Sequence, residues 1–164
     1  MKSDLREELK SKLTGRVCLV GVGNTDLGDD GFGVRLAQAV QNSGFEHVIV
    51  AETTPENWIE KIITQGFDHV LFLDAVQLSR EPGAVVFLDA VEIKTRFPQI
   101  STHKLSLSLL AKLIQARSKT KVWLLGAQPG SLRPSATLTA SVQTAVDALN
   151  NILGEILKIK VDVS

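Results

Sequence analysis

The sequence predicts a three-layer α/β/α sandwich on a five-stranded, mostly parallel sheet with one antiparallel edge strand, within a single domain of 164 residues. Three observations lead there. Short apolar runs alternate with segments of helical period along the chain. The run Val70-Leu71-Phe72-Leu73 is apolar throughout, as expected of a strand covered on both faces. The connection from this run to the next, Ala84 to Leu88, is too short for a crossover helix, which takes roughly a dozen residues. That next strand must therefore turn back and run antiparallel, at an edge of the sheet.

The elements follow in order. Residues 1–15 form a charged N-terminal extension in which Leu5, Leu9 and Leu13 recur every fourth position. This narrow stripe reads as a helix laid on the domain surface. Residues 16–21 are the first strand. Phe32, Leu36, Ala39 and Val40 have helical spacing, so 32–41 is the first helix of the sandwich, stopped by Gly44. Strand two covers 46–51. Thr54-Pro55 reads as cap and first residue of a second helix that runs to about Gln65 and stops at Gly66. Strand three is 69–74. Glu81-Pro82-Gly83 is a turn, and 84–88 is the antiparallel strand. Residues 104–117 form the third helix, 121–127 the last parallel strand, and 139–157 the closing helix, with Thr139 as its cap.

The bulk composition bounds function. Eighteen basic and eighteen acidic residues cancel, so bulk electrostatics point to no nucleic acid. The N-terminus has no apolar segment of signal-peptide type, and no stretch approaches the ~20 apolar residues of a membrane span. The one cysteine, Cys18, sits inside a strand and has no partner for a disulfide, which fits a reducing cytoplasm and an inert thiol. A monomer without membrane insertion is expected.

Residues 21–33 hold five glycines and three carboxylates between a strand and a helix. Sheets of this type build their sites at the carboxyl ends of the parallel strands. Strand one delivers Asn24, Asp26, Asp29 and Asp30. Strand two delivers Glu52 and Thr53, strand three Asp74, and strand five Gln128 and Pro129. Ser101-Thr102-His103 lies before the third helix, in a loop returning to the same edge. Alone, Asp74 reads better as a cap or turn residue and His103 as a neighbour of the cap of the third helix. Together, Asp30, Asp74 and His103 offer two oxygens and one nitrogen, a set that binds a borderline divalent ion and leaves positions open for water or substrate. Asp29 competes with Asp30, but neighbours in a loop point apart, so one ligates and the other orients backbone amides. His47 and His69 lie away from the strand-end loops and read as structural. Dinucleotide binding is disfavoured: position 26 of the Gly21-x-Gly23 motif is Asp26, and phosphates would meet three carboxylates. No Gly-x-Ser-x-Gly elbow marks a serine hydrolase.

The motif Gly23-Asn24-x-x-x-Gly28-Asp29-Asp30-Gly31-x-Gly33 resembles the N-terminal signature of the hydrogenase maturation endopeptidases. The resemblance continues in order through Thr54-Pro55-Glu56-Asn57, Leu73-Asp74-Ala75, Ser101-Thr102-His103-Lys104-Leu105 and Leu125-Gly126-Ala127-Gln128-Pro129. The Gly-Asp-Asp-Gly and Pro-Glu-Asn forms look most like the branch serving formate-hydrogenlyase-type (group 4) hydrogenases. The N-terminal extension is the one departure. The resemblance implies an endopeptidase that removes the C-terminal extension of the nickel–iron hydrogenase large-subunit precursor after nickel insertion. It implies Asp30, Asp74 and His103 as metal-interacting and catalytic residues that read nickel carried by the substrate, with zinc or cadmium as a stand-in in crystals. Asn24, Asp29 and Gln128 are supporting candidates. The competing expectation is a chaperone that holds the nickel-loaded subunit without cutting it.

Overall fold

The computed structural model describes residues 4–96 and 106–158. Strands β1 (Val17–Val22), β2 (Val48–Glu52), β3 (His69–Ala75), β4 (Val85–Asp89) and β5 (Lys121–Ala127) form one sheet in the order β2-β1-β3-β5-β4. All neighbours are parallel except β4, which pairs antiparallel with β5 at the edge. This is the predicted architecture. The helices are α1 (Leu5–Lys12), α2 (Phe32–Asn42), α3 (Ile59–Thr64), α4 (Ala90–Arg96), α5 (Leu107–Arg117) and α6 (Ala140–Lys158).

Strand alternation sorts the core into two layers. Val20, Val22, Val70 and Phe72 pack with Ile59, Ile62, Ile93, Leu110 and Ile114 of α3, α4 and α5. Leu19, Leu71 and Leu73 pack with Phe32, Leu36, Leu149 and Leu153 of α2 and α6. The N-terminal stripe joins the second layer: Leu9 and Leu13 are buried there, and Arg6 reaches Glu155 of α6 at 2.9 Å.

Two helices differ from expectation. Residues 90–96 are helical because Asp89 and Glu92 cap each other: Asp89 Oδ1 accepts the Glu92 N–H at 2.9 Å and Glu92 Oε1 accepts the Asp89 N–H at 3.1 Å. This is a capping box with Asp in place of Ser or Thr, and Asp89-x-x-Glu92 is its sequence signal. After β2, Thr54 and Pro55 take the cap and first positions as expected, but of a 3₁₀ turn, Pro55–Trp58, with α3 beginning only at Ile59; the Thr54 hydroxyl donates to the Ala51 carbonyl and makes no capping bond. Thr139 stands at the cap position of α6 as expected, its carbonyl accepting the Gln143 N–H at 2.9 Å. Its N–H and hydroxyl both donate to Asp29, from the other end of the chain.

Asp29 is thus a structural tie. Its carboxylate is fully buried and accepts from the Gly130 N–H (2.7 Å), the Ser131 N–H (3.0 Å), and the N–H and hydroxyl of Thr139 (2.8 and 2.7 Å). It joins the loop after β1 to the loop after β5 and to the start of α6. The same two loops are zipped by Gly28 N–H to Ser135 carbonyl (3.0 Å), Asp29 N–H to Ser131 carbonyl (2.9 Å) and Ser135 N–H to Asp26 carbonyl (2.9 Å). Burial pushes the Asp29 carboxyl up, but the hydrogen bonds from Thr139, Gly130 and Ser131 outweigh it and hold it below the ordinary aspartate value.

Gly33, in the first turn of α2, lies against the strand backbone with no room for a side chain. A Cβ there would lie 1.9 Å from the Leu73 carbonyl oxygen and 2.5 Å from that of Val22. Both obstacles are backbone at the ends of β3 and β1. Gly33→Ala is expected to cost on the order of 3 kcal/mol or more through overpacking. Gly154→Ala, where the new methyl meets nothing within 4 Å in α6, is expected to stabilise by up to about 1 kcal/mol; urea denaturation measures both. For Asp29, the depressed carboxyl contributes stability that is present above the unfolded aspartate pKa and lost as pH falls through the folded one. Asp29→Asn is therefore expected to cost about 2–4 kcal/mol at pH 7, with the gap to the parent protein narrowing in acid; melts across pH check this.

Candidate functional site

The carboxyl ends of β1 and β3 lie side by side, because Gly21 pairs with Leu73. The loop after β1 turns tightly back over them. Gly23 has φ of 139°, and a Cβ there would overlap the Asp30 carbonyl at 1.9 Å. Within the loop, Asn24 Oδ1 accepts the Asp26 N–H at 2.9 Å, and the Leu27 N–H reaches the Asn24 carbonyl at 3.1 Å. The 3₁₀ turn Gly28–Gly31 follows and packs against β3.

Asp29 and Asp30 sit in this 3₁₀ turn, where successive side chains diverge by about 120°. They have different fates. Asp29 is saturated by the donors described above. Asp30 is 6% exposed, and its Oδ2 accepts the Asn24 N–H at 2.8 Å. Its Oδ1 takes no hydrogen bond among the described residues. Asn24 thus acts through its backbone, holding one oxygen of Asp30 in place.

Asp74 is 3% exposed. It lies two residues after Phe72, so it shares the face of the sheet covered by α3 and α5. Its partner across the β3–β5 ladder is Gly126, where a Cβ would meet the Val76 side chain at 2.6 Å. Gln128 is the carboxamide that fastens the connection after β3. Its Oε1 accepts from the Leu78 N–H at 2.6 Å, and its Nε2 donates to Gln77 Oε1 at 3.0 Å and to the Pro129 carbonyl at 3.1 Å. Both ends of the side chain are thereby engaged. His103, with Ser101 and Thr102, lies outside the described residues. Among the described residues, no three histidine, cysteine or acidic side chains gather as a metal set. Asp30 and Asp74 come to one strand-end edge; Asp29 and Gln128 brace the loops around it.

The remaining titratable candidates are structural. Cys18 is 1% exposed, and burial pushes its thiol up to about 12 despite nearby Lys61 and Arg16. His69 Nδ1 accepts the Trp123 indole N–H at 3.0 Å, and burial together with Lys121 holds its imidazole below the ordinary value. His47 is wedged edge-on between Phe45 and Phe67. A hollow of about 640 Å³ opens at the amino ends of the strands, lined by Leu13, Arg16, Phe45, His47 and Leu157. It lies at the opposite edge from Asp30 and Asp74, and its mixed lining converges on no reacting point. One feature of the site edge has no sequence signature: Glu52, which closes β2, takes a positive φ of 55°.

Comparison with known proteins places this architecture. A family model described as hydrogenase maturation protease (HycI) matches residues 33–156. The chain is 30% identical over 133 residues to the Hydrogenase 3 maturation protease of Escherichia coli strain K12, covering 80% of this chain and 84% of that one. It is 28% identical over 147 residues to the Hydrogenase 2 maturation protease of the same strain, covering 84% and 88%. Among solved structures, the [NiFe] hydrogenase maturation protease HycI from Thermococcus kodakarensis KOD1 superposes with a TM-score of 0.82 at 29% identity, over 92% of this chain and 99% of that one. The hydrogenase maturating endopeptidase HybD from Escherichia coli gives 0.73 at 26%, over 87% and 92%. The matched span takes in α2 to α6, all of the sheet beyond β1, and Asp74. The chain belongs to the hydrogenase maturation protease family.

Proposed function

We propose that this protein is an endopeptidase that removes the C-terminal extension of a nickel–iron hydrogenase large-subunit precursor, acting in the cytoplasm once nickel is in place. The observation that supports this most is the delivery of two buried carboxylates, Asp30 and Asp74, by adjoining strand ends in a fold shared with hydrogenase maturation proteases. The Gly-Asp-Asp-Gly and Pro-Glu-Asn segments favour a precursor of the formate-hydrogenlyase type.

In this reading, nickel belongs to the substrate. Asp30 Oδ1, the Asp74 carboxylate and the His103 imidazole are the chain's contacts to it. Two carboxylates and an imidazole suit a divalent ion of borderline hardness, so zinc or cadmium would serve as a stand-in. A precursor without nickel offers these groups nothing to hold, which makes cutting conditional on metal insertion. The attacking group is water. One of the two carboxylates takes its proton as the oxygen adds to the scissile carbonyl. The proton passes to the departing amine when the C–N bond breaks, leaving a new carboxylate and a free amino terminus. The Asn24 N–H keeps Asp30 Oδ2 in a fixed position through these steps. Asp29 and Gln128 hold the surrounding loops still, which positions Asp30 without their touching the substrate.

The test is incubation of the purified protein with nickel-loaded precursor, followed by mass spectrometry. Loss of the C-terminal extension is expected from the parent protein, and no loss from a metal-free precursor. Asp30→Asn and Asp74→Asn are each expected to slow processing by roughly 100-fold or more, with circular dichroism spectra unchanged. A precursor that is bound but keeps its full mass would instead favour a chaperone.

A further inference from the structure

The segment Thr54-Pro55-Glu56-Asn57 connects β2 to α3 at the carboxyl edge of the sheet, and the chemistry above leaves it without a task. Its turn is rigid. Pro55 is buried at the first 3₁₀ position, and the Asn57 N–H closes on the Thr54 carbonyl at 3.1 Å. Yet Glu56 Oε1 is buried and, among the described residues, has no hydrogen-bond partner. A buried acceptor normally finds a donor, because going without forfeits the full desolvation of the group. A glutamate side chain on a turn has easy access to water, so sequestering this oxygen needs a reason. A second irregularity lies four residues earlier. Glu52 is a non-glycine residue in the left-handed region, and its carbonyl accepts the Gly23 N–H at 2.8 Å. The strained residue is therefore tied to the loop that carries Asp30, and strain of this kind gathers at functional sites. Both lie at the edge of Asp74, and α3 covers the same face of the sheet as Asp74 does.

We propose that Glu56 is a further substrate-binding residue whose Oε1 accepts a hydrogen bond from an N–H of the precursor's C-terminal peptide as that peptide crosses the carboxyl edge of the sheet. The inference rests on the peptidase reading above. The donor is either a backbone amide or a cationic side chain, chemistry that the carboxylates Asp30 and Asp74 at the same carboxyl edge of the sheet also favour. Among the described residues the free protein gives this oxygen no partner, and the peptide supplies one.

The experiment compares the parent protein, Glu56→Gln and Glu56→Ala in precursor processing and in precursor binding by fluorescence anisotropy. Glu56→Ala is expected to raise KM and Kd about tenfold, the loss of one hydrogen bond to a charged acceptor, with kcat within about twofold. Glu56→Gln, which keeps an acceptor oxygen, should recover part of the loss. Thermal melting of the free Glu56→Ala protein should be no lower than the parent's, since a group with no partner leaves none stranded. Replacing basic residues of the precursor's C-terminal segment by glutamine separates the two donors: the penalty of Glu56→Ala vanishes if a side chain donates and persists if the backbone does. A parent protein that cuts, beside a Glu56→Ala variant with unchanged KM and Kd, overturns the role of Glu56 alone. So does a variant that melts well below the parent and loses kcat with KM unchanged. A parent protein that neither binds nor cuts overturns the peptidase reading as well.

Discussion

The packing of Gly33 against the carbonyl oxygens of Val22 and Leu73 sets the geometry on which the site depends. With no side chain at this position, the first turn of α2 can sit directly on the ends of β1 and β3. The ten residues before it must then fold into the small space above the sheet edge, and the 3₁₀ turn Gly28–Gly31 is how they do so. Asp30 arrives over the end of β1 while Asp74 emerges from the end of β3, its neighbour in the ladder. The two carboxylates are 44 positions apart in sequence number and share one edge because one glycine permits the contact. Any larger residue would lift α2 and carry the loop with it.

Two adjacent aspartates in this loop show how environment divides labour among identical groups. Asp29 faces the loop after β5 and the start of α6, where four donors meet it and hold it ionised. Asp30 faces the other way, with a single backbone donor on one oxygen among the described residues. The first carboxylate ties the fold together, and the second has one oxygen that takes no hydrogen bond among the described residues. Gln128 spends both ends of its carboxamide on the connection after β3, and Asp74, whose ladder partner is Gly126, stands at the strand-end edge.

Most of the architecture was legible because hydrophobic period carries it. The apolar run of β3, the short connection into β4 and the leucine stripes of α1 and α5 are long-range consequences of local pattern. The exceptions have local causes. Residues 90–96 carry a weak apolar period, and their helix is declared by the Asp89–Glu92 pair of caps rather than by its stripe. Thr54 and Thr139 stand at cap positions as their residue type suggests, yet other acceptors, the Ala51 carbonyl and the Asp29 carboxylate, take their hydroxyls. Of the site residues, Asp30 and Asp74 follow from strand ends that a sequence displays. The saturation of Asp29 does not, since its donors lie about a hundred residues away. His103 falls outside the described residues, so its place in the set rests on the Thr102-His103 motif. The strain at Glu52 and the isolated oxygen of Glu56 depend on packing and have no sequence counterpart.

The central claim is that this protein senses nickel in its substrate through oxygen and nitrogen ligands of its own. Nickel K-edge X-ray absorption on a complex of nickel-loaded precursor with the Asp30→Ala protein and, separately, with the unaltered protein trapped before turnover measures this directly. The account predicts new oxygen or nitrogen neighbours in the nickel shell of the unaltered complex, with fewer in the Asp30→Ala complex. A nickel shell identical in the free precursor and in both complexes would contradict it.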